Sequence, residues 1–414
     1  MENISFLGKL FGVIELATIR KEFPILSRAV NGSEIIYFDN AATTQKPHTV
    51  LDVSRRYYEE YNANIHRGTH LLAREATAAH EAARETVARY IGAGDAREVI
   101  FTSGATDSLN LAAFTLGDDL REGDEVLIST LEHHSNIVPW QMICERRGAV
   151  LRVIPCNEDG SLPESVLPYL SEKTKILSIT WISNAFGTVN PVKSYVQEAK
   201  SRGVTVVVDA SQAAPHLKID VAEIGCDMLA FSGHKVYAPT GIGVLWGRYD
   251  LLATLPPYRG GGEMIKEVRF EGTTYNEPPF RYEAGTPNIE GGIALAAACD
   301  FVNEVGLEKI QAHENALMRA AETKLAGISG LRMFGPPNRC GALSFAVEGV
   351  HAYDLGTFLD QMGVAVRTGH HCCQPLMHRF GITGTTRASF AMYNSLDEVE
   401  KFGECLKRAV AMLR

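Results

Sequence analysis

Seven short runs rich in apolar and β-branched residues recur between positions 99 and 246, separated by segments long enough for helices. They are Val99–Phe101, Glu125–Ser129, Val150–Ile154, Lys175–Thr180, Val204–Val208, Met228–Phe231 and Gly243–Trp246. Strands alternating with helices predict an α/β fold with a largely parallel sheet covered on both faces. In such sheets ligands bind beyond the carboxyl ends of the strands. Two of the run ends carry chemistry: Asp209 opens Asp209-Ala-Ser-Gln212 after one run, and Lys235 closes Phe231-Ser-Gly-His-Lys235 after another.

The chain has 414 residues, 45% of them hydrophobic, enough for a large core divided between two or three domains. After the Gly- and Pro-rich stretch Pro256–Asn288 a helical pattern covers Ile293–Val305, and mixed strand and helix signals follow, as in Gly341–Val347 and Tyr353–Met362. The expected division is a segment 1–30 packing with the small domain, a large domain over 31–292, and a small C-terminal α+β domain over 293–414.

A formal net charge of -9 and a pI near 5.8 leave no electrostatic footprint for nucleic acid or an anionic membrane. Eight cysteines without CxxC spacing indicate neither a disulfide framework nor a zinc knuckle, and point to a reducing, cytoplasmic setting. The first residues place Lys9 and Glu15 around a short apolar stretch with no small-residue cleavage site, so a signal peptide is not expected. An amphipathic helix over Ser5–Ile14 remains compatible with that pattern, and no run reaches transmembrane length.

A lysine and an aspartate delivered by two strand ends suit a Schiff-base cofactor. The amine can form an imine with pyridoxal phosphate, and the carboxylate can keep the pyridine nitrogen protonated. The plainer alternative is a solvated loop lysine and a capping aspartate. Thr102-Ser-Gly-Ala-Thr106-Asp107 lies between a predicted strand and a predicted helix, where N–H groups and the Thr106 hydroxyl could receive a phosphate or simply make a capped glycine turn. In Glu132-His133-His134 the adjacent histidines are poorly spaced to share a metal, whereas one imidazole could stack on a cofactor ring and move protons. In Arg367-Thr-Gly-His-His-Cys372-Cys373 a cysteine among cationic side chains has a route to a nucleophilic thiolate. Two buried cysteines in a turn, or half of a metal site, is the competing reading.

With these motifs in this order, the chain resembles the class V aminotransferase-like family of fold-type I pyridoxal-phosphate enzymes. Within it, the pattern is most similar to the group II, SUF-type cysteine desulfurases. Phe23-Pro-Ile-Leu-Ser27, Tyr37-Phe-Asp-Asn-Ala-Ala42, Gln45-Lys-Pro47, His66-Arg67-Gly68 and Arg387-Ala-Ser-Phe-Ala-Met-Tyr-Asn394 extend the likeness from near Thr18 over nearly all the rest. Ser103-Gly-Ala-Thr106 departs toward the group I form, and Cys373 stands where many relatives carry a small residue.

The resemblance implies that Lys235 forms the Schiff base, Asp209 pairs with the ring nitrogen, and Gln212 and Asn184 lie near the phenolic oxygen. His133 would stack on the ring and shuttle protons, while Thr106, Ser232 and His234 would hold the phosphate. Thr286 would reach the phosphate of a neighbouring subunit, implying a homodimer with shared sites. Arg387 would anchor the substrate carboxylate with Arg367 beside it and Asn184 nearby, and Cys372 would carry a persulfide. The implied reaction converts L-cysteine to L-alanine and passes sulfur to an acceptor of SufE or SufU type for iron-sulfur cluster assembly. A selenocysteine lyase acting on L-selenocysteine is the nearest alternative. A non-catalytic sulfur carrier or metal-binding subunit is a more distant one, because it has no need of the Schiff-base lysine.

Overall fold

The computed structural model describes residues 14–414, so the amphipathic segment expected over 5–14 lies, but for Ile14, outside the described residues. The seven runs become β1 (Val99–Thr102), β2 (Glu125–Ser129), β3 (Val150–Ile154), β4 (Thr174–Thr180), β5 (Thr205–Asp209), β6 (Met228–Ser232) and β7 (Gly243–Gly247). They form one sheet in the order β1-β7-β6-β5-β4-β2-β3. β7 runs antiparallel to both its neighbours, and every other neighbouring pair is parallel.

Burial on two faces accounts for the apolar runs except the edge strand β3, where Val150 and Val153 are exposed. Val206, Val208, Leu229 and Phe231 belong to one core layer, while Val207, Met228 and Ala230 belong to the layer on the other face. Full burial of each such aliphatic side chain contributes about 1.5–3 kcal/mol. In register, Thr180 pairs with Asp209 and Asp209 with Ala230, so β4, β5 and β6 deliver their last residues to one edge of the sheet.

Helices α1 (His48–Glu60), α2 (Leu71–Tyr90), α3 (Ala105–Leu116) and α4 (Ile289–Val305) accompany this sheet. α4 shares an apolar cluster with α1 and α2 through Tyr57, Ala76, Ala83, Ile289, Ile293 and Ala296. It begins four residues before the expected pattern and is continuous through 292/293, the expected domain boundary. The Gly- and Pro-rich stretch before it holds an exposed antiparallel hairpin that its composition concealed, β8 (Ile265–Arg269) with β9 (Gly272–Tyr275).

A second sheet, ordered β10-β11-β13-β12, contains β10 (Leu331–Phe334), β11 (Ala342–Val347), β12 (Arg367–Gly369) and β13 (Thr385–Ser389), all antiparallel. It packs with α5 (Leu307–Ala326) and α6 (Leu396–Leu413) around Leu317, Leu325, Phe345, Phe402 and Leu406. A capping box between Ser395 and Glu398 starts α6. Arg20 donates to Glu398 at 2.8 Å and to the Tyr393 carbonyl at 2.7 Å, tying the N-terminal segment to this body. Ile36–Tyr37 pairs in parallel with Val364–Ala365, and Asp39 bridges to Ser389, which carries Asp39 to the junction of the two sheets. Among the described residues no helix is long and apolar enough to cross a membrane.

Candidate active site

A cavity of about 400 Å³ opens where the carboxyl edge of the large sheet meets β12 and β13 of the small one. Asp209, the last residue of β5, and Lys235, in the single turn after β6, both line it. Asp209 is buried, and its Oδ1 accepts from the Ser211 amide at 2.9 Å and the Ser211 hydroxyl at 2.5 Å. Those bonds engage Oδ1 alone, and among the described residues no hydrogen bond reaches Oδ2. Burial pushes the Lys235 amine below its ordinary pKa; Asp209 opposes the shift and Arg387 adds to it. More of the amine is then in the unprotonated form that can act as nucleophile or base.

The phosphate-type cradle forms where α3 begins. The Ser232 hydroxyl, at the end of β6, accepts from the Ala105 amide at 2.8 Å, and Thr106 follows on the exposed rim. A Cβ at Gly243 would lie 2.5 Å from the Gly104 Cα, so β7 can approach this turn only as glycine. His234 lines the same end of the cavity, its Nδ1 buried without a partner, and burial with Lys235 and Lys46 lowers its pKa to about 4. An unpaired nitrogen beside a helix N-terminus suits an anionic oxygen.

His133 follows β2 and lines the cavity. Its Nδ1 accepts from the Ser135 amide at 3.1 Å and lies 2.8 Å from the Ser135 hydroxyl. The neutral ring therefore carries its proton on Nε2. Burial, then Lys235, His134 and Arg387, lowers its pKa to about 3. Beneath it Glu132 is fully buried and accepts from Ser129, Asn136 and the Thr180 amide; burial still pushes it up to about 8.

Cys372 and Cys373 sit side by side with opposite surroundings. Cys372 is exposed and lines the cavity, whereas Cys373 is buried, donates to Asn184 Oδ1 at 3.2 Å, and has its thiol pushed up to about 12, chiefly by burial. Asn184 Nδ2 donates to the His371 carbonyl at 2.7 Å, and the Asn184 carbonyl accepts from Arg387 Nη1 at 2.7 Å. Asn184 therefore holds the cysteine turn and the arginine together, a use its expected place near the phenolic oxygen did not include. Arg387 is buried with its Nε unpartnered, while Arg367 is about half exposed. Asp39 bridges the two, with Arg367 bonding both carboxylate oxygens at 3.2 and 2.8 Å and Arg387 Nη2 lying 3.5 Å away.

The cavity thus gathers Lys235, Asp209, His133, Thr106, Asn184, Gln212, Ser232, His234, Arg367, Arg387 and Cys372. Gln212 turns its amide nitrogen onto the Ala41 carbonyl at 2.8 Å. Thr286 is exposed and does not line this cavity. Sequence reasoning passed over Asp39, Ser135 and Ser211. Asp39 and Ser211 lie inside quoted motifs; Ser211 turns back on Asp209 two residues away, whereas only the pairing of distant segments shows what Asp39 contacts. Among the described residues no group of three or more His, Cys, Asp and Glu is placed to hold a metal ion.

A lysine amine, a carboxylate able to meet a ring nitrogen, a flat imidazole, a phosphate-type helix start and orphaned polar atoms on His234 and Arg387 fit pyridoxal phosphate. The chain belongs to the class-V aminotransferase family, whose model matches residues 36–402. It is 48% identical over 404 residues to a probable cysteine desulfurase of Streptomyces coelicolor, covering 95% of this chain and 97% of that protein. The cysteine desulfurase CsdA of Escherichia coli superimposes with a TM-score of 0.91 at 37% identity, over 97% of this chain and 100% of that one. The apo structure of a cysteine desulfurase from Thermococcus onnurineus gives 0.91 at 39% identity, over 96% and 98%.

Proposed function

We propose that this chain is a pyridoxal-phosphate-dependent cysteine desulfurase of the SUF type that converts L-cysteine to L-alanine and keeps the sulfur as a persulfide on Cys372. The observation that carries this reading is one cavity holding a strand-end lysine and aspartate together with an exposed thiol from the other sheet.

When bound, pyridoxal phosphate supplies an electrophilic carbon for the substrate amine and a protonated ring that takes up the electron pair left at Cα. Lys235 holds the cofactor and later accepts the α-proton; Asp209 keeps the ring nitrogen protonated. Thr106, Ser232 and His234 hold the phosphate, and Gln212 and Asn184 stand toward the phenolic side. His133 stacks on the ring and moves a proton at Nε2. Arg387 takes the substrate carboxylate with Arg367 beside it, a task suited to the planar guanidinium fork.

The Cys372 thiolate attacks the substrate sulfur. An S–S bond forms, the carbon–sulfur bond breaks, and its electron pair stays with Cβ, which takes up a proton to become the alanine methyl group. In sum, L-cysteine and the Cys372 thiol give L-alanine and the Cys372 persulfide, with Cβ reduced by two electrons and the enzyme and substrate sulfurs each oxidised by one.

The working unit in this reading is a cytoplasmic homodimer in which Thr286 reaches the phosphate held by the other subunit. Residues from 31 through α4 form the cofactor-binding domain, past the expected boundary at 292, and the chain after α4, with the N-terminal segment, forms the domain that carries Cys372. Sulfur passes to an acceptor of SufE or SufU type for iron-sulfur cluster assembly. The test, run with a dithiol that reduces the persulfide, measures alanine and sulfide released from cysteine, beside alanine and selenide released from selenocysteine. Alanine from cysteine in step with sulfide supports the reading; activity confined to selenocysteine overturns it in favour of a selenocysteine lyase.

A further inference from the structure

The turn that presents Cys372 is conformationally costly. His371 and Cys372 both have positive φ, at 52° and 55°, and two consecutive non-glycine residues in the left-handed region persist only when their surroundings hold them. Two restraints are internal: the Cys373 amide donates to the His370 carbonyl at 2.8 Å, and the Cys372 amide to His370 Nδ1 at 3.1 Å. The others come from the large sheet. Asn184 holds the His371 carbonyl, and His134 grips the turn on both sides of the thiol.

That grip has three parts. The His134 amide donates to the Cys372 carbonyl at 2.8 Å, His134 Nε2 accepts from the Gln374 amide at 3.1 Å, and the His134 and His370 rings lie 5.6 Å apart. An acceptor at Nε2 puts the proton of the neutral ring on Nδ1, the opposite tautomer to His133. The two adjacent histidines therefore have separate duties. His133 faces the cavity, while His134 is absent from its lining and is spent on the chain that carries the nucleophile.

We propose that His134 is a positioning residue for the Cys372 thiolate: its imidazole pins the amide of Gln374 and with it the strained turn, holding the sulfur over the cavity. The inference rests on Cys372 being the nucleophile in the reading above. It assigns His134 no contact with substrate or cofactor. Loss of the imidazole leaves the amide bond to the Cys372 carbonyl in place but frees the far side of the turn. The thiol then samples positions away from the substrate sulfur.

The test compares His134→Ala with His134→Gln, whose amide oxygen can replace Nε2 as acceptor, in the holoenzyme. His134→Ala is expected to lower kcat for cysteine roughly tenfold to hundredfold, as for a misplaced reacting group. Cysteine KM, the cofactor absorbance and alanine release from selenocysteine, whose weaker bond to carbon depends less on the thiolate, should stay near wild type. His134→Gln should recover most of the cysteine kcat. Unchanged cysteine kcat in His134→Ala overturns the proposal, as does equal loss on both substrates, which marks a general structural defect. Hydrogen exchange at Cys373 and Gln374 provides a readout independent of turnover: it should quicken in His134→Ala and not in His134→Gln. If wild-type protein releases no alanine from cysteine, the desulfurase reading fails on its own, and unchanged exchange in His134→Ala still refutes the grip.

Discussion

Cys373 donates its thiol to Asn184 Oδ1 across 3.2 Å, from a buried position directly after the exposed Cys372. That bond, and a pKa of about 12, leave Cys373 a hydrogen-bond donor to the turn and a poor nucleophile near neutral pH. Cys372→Ala is expected to keep the cofactor and the spectral change on adding cysteine while releasing no sulfur. Cys373→Ala should keep most of the activity. Mass spectrometry of peptides after one turnover checks both; a persulfide found mainly on Cys373 would falsify the division of roles.

Lys235→Ala is expected to abolish turnover and remove the visible absorbance of the protein-bound Schiff base, because among the described residues Lys235 is the only lysine lining the cavity. Absorbance spectra and alanine release report the two losses separately. Full activity in this variant would overturn the cofactor assignment. Asp209→Ala should slow α-proton exchange, measured by loss of deuterium from labelled substrate, with little change in the fold.

The arginines give a graded series. Arg387→Ala should raise the cysteine KM strongly, since losing the buried charged partner of a carboxylate typically costs about 2–5 kcal/mol. Arg387→Lys should recover only part of that, for want of the forked geometry. Unchanged steady-state kinetics in both variants would transfer the carboxylate site to Arg367, which Asp39 holds beside it.

The pH dependence of stability has a definite sign. His133 is held to about 3 and His234 to about 4, whereas both return to about 6.5 on unfolding. Between these limits the unfolded chain binds more protons at the two histidines, so their contribution to stability falls as pH drops below about 6.5, while Glu132, held up to about 8, contributes a slope of the opposite sign. His133→Asn should flatten this loss by at most about 1.4 kcal/mol per pH unit. Urea midpoints of the cofactor-free protein between pH 4 and 7 measure it; an unaltered slope would mean His133 protonates freely in the folded chain.

Much of the central layer is legible in the sequence. All seven apolar runs are strands within a residue or two of their expected bounds; for all but the largely exposed edge strand Val150–Ile154, burial on both sheet faces demands such uninterrupted apolar sequence. The lysine and aspartate stood out for a related reason: polar residues at the ends of such runs are where the sheet opens to a ligand. The hairpin Ile265–Tyr275 escaped notice because its strands are exposed and carry no apolar pattern. The start of α4 was placed late because its first turn follows a Gly- and Pro-rich stretch.

By itself, then, the sequence determined the alternating architecture, the strand-end chemistry and the family likeness, all of which depend on residues near one another in the chain. Tertiary structure alone decided that β7 runs against its neighbours, that Asp39 bridges Arg367 and Arg387 from 328 and 348 residues away, and that Asn184 binds the turn that exposes one cysteine and buries the next. Hydrogen bonds and burial depend on separation in space, and that distance exists only once the two sheets have packed together.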